Sequence, residues 1–422
     1  MKRLTGIWMG TRFISMAQTD QGFTYVRKGF GLKAEVQETL AQDYTGQLVD
    51  LLRARDFTLS AGGVTVRLAR EFGFCYGVER AVDYAYQTRR KFPDKRVFLA
   101  GEIIHNPHVN AKLREMGVIF LGSLTDGSGF DFTGVEGPDV VILPAFGVTI
   151  RDFDVLRGIG CVVVDTTCGS VLNVWKRVES YGRDGFTALI HGKHYHEETR
   201  ATASQVEKYP GGRWIVVRNM AEAQLVFDFI ERGGDGEALR QRFAKAASAD
   251  FDPVRDLQRI GVANQTTMLA RESLEIAAAV GASMERRYGA PHMAEHFRSF
   301  DTICSATQDR QDAVNELLKE PLDVMLVIGG YNSSNTISLA ALTSELVRTY
   351  HVEDATCIDV ARRAIRHLPS GQYTEVEAPD WLQLDGEIRV GLTAGASTPN
   401  NKIGEAVARV FATRGVDPAL VE

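Results

Sequence analysis

Val64-Thr-Val-Arg-Leu-Ala-Arg-Glu-Phe-Gly-Phe-Cys75-Tyr-Gly-Val-Glu-Arg-Ala-Val82 is a stretch in which a strand pattern gives way at a cysteine to an amphipathic helix pattern. Two later stretches have the same layout, Cys161-Val-Val-Val-Asp-Thr-Thr-Cys168-Gly-Ser-Val-Leu-Asn-Val-Trp175 and Phe300-Asp-Thr-Ile-Cys304-Ser-Ala-Thr-Gln-Asp-Arg-Gln-Asp-Ala-Val314. Three cysteines that are far apart in the chain therefore share one local setting. Such a layout is typical of a metal-cluster site.

A thiol at the start of a helix favours the thiolate form, because unpaired backbone N–H groups and the helix dipole stabilise the negative sulfur. Three such thiolates could bind a [4Fe-4S] cluster through three irons and leave the fourth iron open. The competing interpretation is that the cysteines are buried small apolar side chains. It suits Cys161 and Cys357, which lie in apolar runs, and the chain has no Cys-x-x-Cys pair.

The composition is that of an ordinary globular protein and excludes several classes. The chain has 422 residues, more than one hydrophobic core usually supports, so two or three domains are expected. Hydrophobic residues make up 44% and charged residues 24%, and the net charge of −6 argues against nucleic-acid binding. No run approaches the ~18 consecutive apolar residues of a membrane span. The few cysteines suit a reducing compartment.

From about Val64 onward, β-branched runs alternate with helical patterns, which predicts βαβ units with parallel sheets. The clearest strand candidates are Val140-Val-Ile-Leu-Pro144, Cys161-Val-Val-Val164, Thr187-Ala-Leu-Ile-His191, Trp214-Ile-Val-Val217, Val324-Met-Leu-Val-Ile-Gly329 and Ile388-Arg-Val-Gly-Leu-Thr393. We interpret residues 1–60 as an N-terminal extension, of which 37–55 has helical leucine spacing and should pack on the main body. The stretches 122–139 and 233–252 are expected to be surface loops or insertions.

Polar side chains follow several of these strands. They lie in Glu102-Ile-Ile-His105-Asn106, His191-Gly-Lys-His-Tyr-His196-Glu-Glu198-Thr199, Asn264-Gln-Thr266-Thr267, Gly329-Gly-Tyr-Asn-Ser333-Ser334-Asn335 and Gly391-Leu-Thr-Ala-Gly-Ala-Ser397. The last two lead into helices, where hydroxyl and amide groups beside a helix N-terminus suit phosphate. Helix capping and solvated loops are the open alternatives for each stretch. Since the carboxyl ends of parallel strands meet at one edge, the sequence predicts one polar site.

Eight short motifs occur in the order found in a known enzyme family. They are Gly-Phe-Cys75-Tyr-Gly-Val-Glu-Arg-Ala, Glu-Ile-Ile-His105-Asn, Asp-Thr-Thr-Cys168, His196-Glu-Glu198, Asn-Gln-Thr266-Thr, Ile-Cys304-Ser-Ala-Thr, Asn-Ser333-Ser334-Asn335 and Thr-Ala-Gly-Ala-Ser397. The chain resembles the LytB-type 4-hydroxy-3-methylbut-2-enyl diphosphate reductases, iron–sulfur enzymes that end the non-mevalonate isoprenoid pathway. The resemblance extends from about Arg27 to the C-terminus.

The resemblance implies a fold, a reaction and a cofactor. The fold would be a trefoil of three α/β units with small parallel sheets, divided as an extension 1–60 and units 61–168, 169–303 and 304–422. The reaction would remove the C4 hydroxyl of (E)-4-hydroxy-3-methylbut-2-enyl diphosphate with two electrons and protons, giving isopentenyl and dimethylallyl diphosphates. The cofactor would be one [4Fe-4S] cluster with three cysteine ligands and one open iron.

The resemblance also implies roles for individual side chains. By position, Cys75, Cys168 and Cys304 resemble the cluster ligands. The residues that resemble the binding site for the diphosphate are His105, His196, Ser333, Ser334, Asn335 and Ser397. Glu198 resembles the proton donor, and Thr266 resembles the residue that orients the hydroxyl group and relays the proton. The implied partners are the allylic diphosphate and a ferredoxin- or flavodoxin-type electron donor, in the cytoplasm of a bacterium or the plastid of a plant or alga.

Two positions depart from the pattern of many family members. Phe146 stands in Pro144-Ala-Phe-Gly-Val148 where many bacterial members have histidine, as in the plant and cyanobacterial branch, and Lys193 or His194 is expected to supply the missing charge. Gly169 follows Cys168 where proline is usual, which predicts a more flexible helix start. Two alternative functions are a three-thiolate zinc enzyme that hydrolyses phosphoesters and a non-catalytic iron–sulfur relative.

Overall fold

The structure, a computed structural model, describes residues 18–20, 23–125, 127–300, 302–383 and 385–417. Three largely parallel sheets with helices against them form three α/β units, and a small antiparallel sheet is attached to the third. This architecture confirms the predicted α/β fold of three units with small parallel sheets.

Strands and helices alternate along most of the described chain. The strands are β1 (Gln18–Asp20), β2 (Phe23–Val26), β3 (Thr58–Ala61), β4 (Val64–Leu68), β5 (Val97–Ala100), β6 (Val118–Leu121), β7 (Val140–Leu143), β8 (Val162–Asp165), β9 (Thr187–His191), β10 (Trp214–Val217), β11 (Ile260–Asn264), β12 (Phe297–Ser299), β13 (Val324–Ile328), β14 (Thr349–Val352), β15 (Ile358–Asp359), β16 (Ala364–His367), β17 (Val376–Pro379) and β18 (Ile388–Ala394). The helices are α1 (Lys33–Tyr44), α2 (Gln47–Ala54), α3 (Tyr76–Lys91), α4 (Pro107–Glu115), α5 (Ile150–Ile159), α6 (Gly169–Arg183), α7 (Glu197–Val206), α8 (Met220–Arg232), α9 (Gly236–Arg242), α10 (Pro253–Asp256), α11 (Ala270–Tyr288), α12 (Met293–His296), α13 (Ser305–Leu317), α14 (Ser334–Ser344) and α15 (Asn400–Thr413), with 3₁₀ turns at Ala290–His292 and Ala355–Cys357.

Each unit is organised around one sheet. The first has the strand order β1-β2-β8-β7-β5-β6, the second β10-β9-β11-β12 and the third β14-β13-β18-β4-β3, while β15-β16-β17 form the small antiparallel sheet. Apart from the terminal pairs β1–β2 and β3–β4, neighbouring strands of the three main sheets run parallel. Central strands such as β7 and β13 are buried along their whole length, as expected for parallel strands covered on both faces.

The chain changes unit at each of the three cysteine junctions. Cys75 follows β4 of the third sheet, and α3 then packs in the core of the first unit against β5 and β7. Cys168 follows β8 of the first sheet, and α6 packs in the core of the second unit. Cys304 follows β12 of the second sheet, and α13 packs against β13 of the third. Three helix N-termini therefore point to the place where the units meet.

The structure refines three of the sequence predictions. Within the predicted extension 1–60, β2 pairs with β8 and is a strand of the first sheet, whereas the burial of Val49 and Leu52 in the third core confirms that 37–55 packs on the main body. The unit predicted to begin at residue 61 begins with β4, which pairs with β18 in the third sheet. The predicted loop or insertion 233–252 contains the helix α9, which Asp235 caps by accepting hydrogen bonds from two backbone N–H groups.

Candidate functional site

One cavity lies where the three units meet, and all of the candidate site residues line it. They are Cys75, His105, Cys168, His196, Glu198, Thr266, Cys304, Ser333, Ser334, Asn335 and Ser397. Each comes from the end of a strand or the first turn of a helix, because parallel strands with helices after them direct their carboxyl ends to a common point. The predicted single polar site is therefore present in the fold.

The three thiols occupy equivalent positions at the helix N-termini. Cys75, Cys168 and Cys304 are the N-cap residues of α3, α6 and α13, with extended backbone, and none of the three uses its side chain as a cap. The Ser170 hydroxyl donates to Cys304 Sγ at 3.3 Å. A Cβ atom at Gly77 would lie 2.5 Å from Cys168 Sγ, so glycine leaves room for that sulfur.

The charges around the thiols fit a metal cluster. Burial raises the pKa of Cys75; the Val78 N–H and the Arg310 charge lower it, whereas the sulfurs of Cys168 and Cys304 raise it further. Three thiolates in one cavity would repel one another unless a cation bound them, and sulfur ligands select iron–sulfur clusters or zinc.

The spacing of the sulfurs argues against a single zinc ion. Zinc bonds sulfur at ~2.3 Å and so draws its ligands to within about 4 Å of one another. Among the described residues, three potential ligand side chains have donor atoms that all lie within 4.8 Å of one another, and they are His105, His196 and Glu197. The three thiols do not form such a group. A cluster would be compatible with the wider spacing, because each thiolate would bind a different iron.

A buried carboxyl group faces the thiols from the second unit. Glu198, in the first turn of α7, is 1% exposed and accepts hydrogen bonds from Thr266 N at 2.6 Å and from Thr266 Oγ1 at 3.0 Å. Burial raises the pKa of Glu198 to about 7, although the two bonds from Thr266 lower it. The group can therefore hold a proton near neutral pH, as a general acid must.

An imidazole is held between two carboxylates on the opposite wall. His105 Nδ1 lies 3.0 Å from Glu102 Oε2, and His105 Nε2 lies 3.4 Å from Glu197 Oε2. Burial lowers the pKa of His105, but the two carboxylates raise it more, to about 8. His105 is therefore a cation at neutral pH. Its neighbour His196 is neutral, because burial and the nearby His105 charge lower its pKa.

His196 lies between His105 and the buried Glu198 carboxyl group, and the two histidines form what we call the imidazole wall. His196 is the N-cap residue of α7, and its Nδ1 accepts the Glu198 N–H at 3.2 Å. In the neutral ring the proton is then on Nε2, which is free to donate. An N-cap residue and the second residue of its helix thus share one cavity.

A third wall offers hydrogen-bond donors that lack partners. Ser334 Oγ and Asn335 Nδ2 are buried and have no hydrogen-bond partner within the described part of the chain. Asn335 Oδ1 accepts from Ala396 N at 2.9 Å, which fixes the amide so that its NH₂ group is the free end. The Ser397 hydroxyl lies 3.4 Å from that of Ser333, the N-cap residue of α14. Buried orphan donors beside a helix N-terminus suit an anion.

Phe146 packs against the two histidines of the cavity. Its ring stacks on His105 with 4.2 Å between centroids and meets His196 edge-on at 5.5 Å. Neither Lys193 nor His194 lines the cavity, although the Lys193 charge lowers the pKa of His196, which does. The positive charge in this wall is on His105.

Sequence reasoning missed the two carboxylates that hold His105. Glu197 was not among the predicted site residues, but it is the first residue of α7 and lies against His105. Glu102 also accepts from Asn332 Nδ2 at 3.0 Å, which ties the first unit to the third. The one sequence signal for the Glu102 contact was that Glu102 and His105 lie three residues apart.

Comparisons with known proteins give a consistent result. A family model described as LytB protein matches residues 66–411. The 4-hydroxy-3-methylbut-2-enyl diphosphate reductase of Gloeobacter violaceus is 48% identical over 399 residues, 94% of this chain and 94% of that protein. The enzyme of the same name from Thermosynechococcus vestitus is 47% identical over 393 residues, 93% of this chain and 95% of that protein.

The fold also has a counterpart among solved structures. The E-1-hydroxy-2-methyl-but-2-enyl-4-diphosphate reductase of Plasmodium falciparum aligns with a TM-score of 0.58 and 20% identity, over 82% of this chain and 87% of that chain. At this identity the likeness concerns the fold alone. None of the described helices has the length and apolar character needed to cross a membrane.

Proposed function

The chain belongs to the LytB family, and from this premise we propose that it is a 4-hydroxy-3-methylbut-2-enyl diphosphate reductase. The reaction adds two electrons and two protons to the allylic diphosphate, breaks its C4–O bond, and releases water with isopentenyl or dimethylallyl diphosphate. The observation that carries the proposal is a single cavity that combines three thiols, a buried protonatable carboxyl group and unpartnered donors for an anion.

Cys75, Cys168 and Cys304 hold one [4Fe-4S] cluster in this proposal. Their wide spacing and their helix N-termini support a cluster over a single ion. When bound, the cluster supplies the electrons and a Lewis-acidic iron that has no protein ligand. The chain's own contribution is to orient the substrate, exclude water and deliver protons.

The diphosphate binds between the imidazole wall and the start of α14. His196 offers a neutral donor at Nε2, and Ser334 and Asn335 offer hydroxyl and amide donors without partners, while Ser333 and Ser397 lie beside the same helix N-terminus. His105, whose two ring nitrogens face Glu102 and Glu197, supplies positive charge. Charge-assisted bonds of this kind are the strong ones. Phe146 keeps the His105 ring in position by stacking on it.

Replacing Ser334 with alanine should weaken substrate binding without weakening the fold. A hydrogen bond to a charged group is typically worth ~1.5 to 3 kcal/mol, so the dissociation constant should rise by roughly ten-fold or more. The melting temperature should stay the same, because the hydroxyl has no partner to lose. The matched control is Ser344→Ala, which removes an exposed hydroxyl at the other end of α14.

Substrate affinity would be measured without reductant by calorimetry, and the melting temperature by calorimetric scanning. Equal affinities in the parent and the Ser334 variant would place the diphosphate elsewhere. A lower melting temperature with unchanged affinity would make the hydroxyl a structural group.

Glu198 protonates the leaving hydroxyl group, and Thr266 orients that hydroxyl group. Thr266 Oγ1 already lies 3.0 Å from the Glu198 carboxylate, so the two can pass a proton between them. The protonated form of Glu198 is the active one, and its pKa is raised to about 7.

Turnover should therefore fall as the pH rises through about 7, by ten-fold for each further pH unit. We expect this step in kcat, which reports the enzyme–substrate complex, while loss of the His105 charge at higher pH should raise KM. Steady-state rates from about pH 6 to about pH 9 would separate the two. A kcat that is flat across that range contradicts the assignment of Glu198 as the acid.

An electron-transfer protein of the ferredoxin or flavodoxin type supplies the electrons, and the cytoplasm of a bacterium is the proposed location. The function itself is tested by anaerobic turnover with the allylic diphosphate and reduced methyl viologen. The expected products are isopentenyl and dimethylallyl diphosphates, with two viologens oxidised for each product. Release of inorganic phosphate without viologen oxidation would instead support the zinc hydrolase, and bound substrate without turnover would support a non-catalytic relative.

A further inference from the structure

A second cavity opens on the surface beside the central one. We call it the Tyr76 groove, and its lining includes Lys28, Lys33, Phe74, Tyr76 and Arg80. None of these residues lines the central cavity. The Tyr76 side chain is 80% exposed, which is high for an aromatic residue at the start of a buried helix.

Only the first turn of α3 separates the groove from the thiols. Cys75 lines the central cavity, and Tyr76, the next residue, lines the groove. Arg80, one turn further along α3, donates to the backbone carbonyls of Thr166 and Thr167, which directly precede Cys168. Two residues of the groove thus lie next to the thiols, Tyr76 beside Cys75 in the chain and Arg80 through its bonds to the backbone before Cys168.

The groove is positively charged in a protein of net charge −6. Four cations line it, Lys28, Lys33, Arg53 and Arg80, against the carboxylates of Glu79 and Asp83. The lysines are exposed, and neither has an ion-pair partner among the residues that the structure describes. Unpaired lysines around an exposed tyrosine are typical of a surface that binds an acidic protein, because complementary charges speed the association of the two proteins.

We propose that the Tyr76 groove docks a small acidic iron–sulfur electron-carrier protein. The inference rests on the proposed function, since a two-electron reduction in a buried cavity needs a route for electrons from outside. Redox partners form small and transient interfaces, and a groove with a charged rim and one aromatic residue suits such a contact. Docking here would bring the carrier's cluster beside Cys75 and Cys168.

The test compares a protein donor with a small one. The double variant Lys28→Glu, Lys33→Glu would be assayed with a reduced plant-type [2Fe-2S] ferredoxin and, separately, with reduced methyl viologen. The control is the double variant Lys91→Glu, Lys95→Glu. It makes the same charge change at Lys91, the last residue of α3, and at Lys95 just beyond it, and both lie outside the groove. Each enzyme would be measured at low and at high ionic strength.

At low ionic strength we expect the groove variant to lose roughly ten-fold or more in kcat/KM for ferredoxin. The deficit should shrink at ~1 M salt, where the Debye length falls to about 3 Å. Turnover with methyl viologen should match the parent, and the control variant should match it with both donors.

Three outcomes would overturn the proposal. Unchanged ferredoxin kinetics in the groove variant would show that the carrier docks elsewhere. An equal loss with both donors would mean that the lysines act on the site or on another segment of this chain. A groove variant whose oligomeric mass in solution differs from that of the parent would show that a second copy of this chain occupies the groove. If the parent gives no turnover with methyl viologen, it is the proposed function that fails.

Discussion

Serine in place of Cys75, Cys168 or Cys304 should abolish turnover and remove the cluster, whereas serine at Cys161 or Cys357 should leave both intact. The first three sulfurs line the central cavity at helix N-termini. The other two are buried outside the central cavity, Cys161 in the core of the first unit and Cys357 in that of the third, where Tyr331 and Arg366 contact its sulfur. A hydroxyl group is a poor ligand for iron in a cluster, so the loss should be complete and not graded.

All five variants would be purified without oxygen and compared by iron content, by absorbance in the visible range and by turnover. The two buried positions are matched controls, because they undergo the same chemical change in the same protein. A variant at Cys304 that retains the cluster, or one at Cys161 that loses it, would refute the assignment of ligands.

Replacing Glu198 with glutamine should reduce turnover by about 10² to 10⁴ while the cluster and substrate binding survive. Glutamine keeps the size of the side chain, and its oxygen can still accept one hydrogen bond from Thr266, but the side chain cannot supply a proton. An interaction that acts only in the transition state lowers kcat with little effect on binding. The expected pattern is therefore a low kcat at an unchanged dissociation constant.

The control for this variant is Glu207→Gln, at the C-terminal end of the same helix. Glu207 is exposed and accepts from Trp214 Nε1, a bond that glutamine can preserve. Glu197, which adjoins Glu198, is unsuitable because it contacts His105. Near-normal turnover in the Glu198 variant, or equal losses in the two variants, would move the proton donor to another group.

The positions of the cysteines were predictable because the signals are local. A β-branched run that ends at a cysteine and continues into a helical pattern specifies a helix N-terminus without reference to the rest of the chain. All three junctions have this form in the structure. The strand patterns at Val140, Thr187 and Val324 were equally plain and gave strands that begin at those residues.

The contacts between units were not predictable from local patterns. Thr266 bonds Glu198 from 68 residues away, and only the pairing of β11 with β9 brings the two strand ends together. The inclusion of β4 in the third sheet depends on its pairing with β18, near the other end of the chain. Glu197 was not predicted to belong to the site, because its contact with His105 joins two units and has no local signal in the sequence.

The most direct test of the account is Mössbauer spectroscopy of the anaerobic ⁵⁷Fe-loaded protein before and after addition of the allylic diphosphate, without reductant. The account predicts four irons per chain, of which three keep their signals and one changes when the substrate binds. Ser334→Ala, which leaves the three thiols untouched, should show the same change at a roughly ten-fold higher substrate concentration. A protein loaded with zinc instead of iron, or four iron signals that are the same with and without substrate, would contradict it.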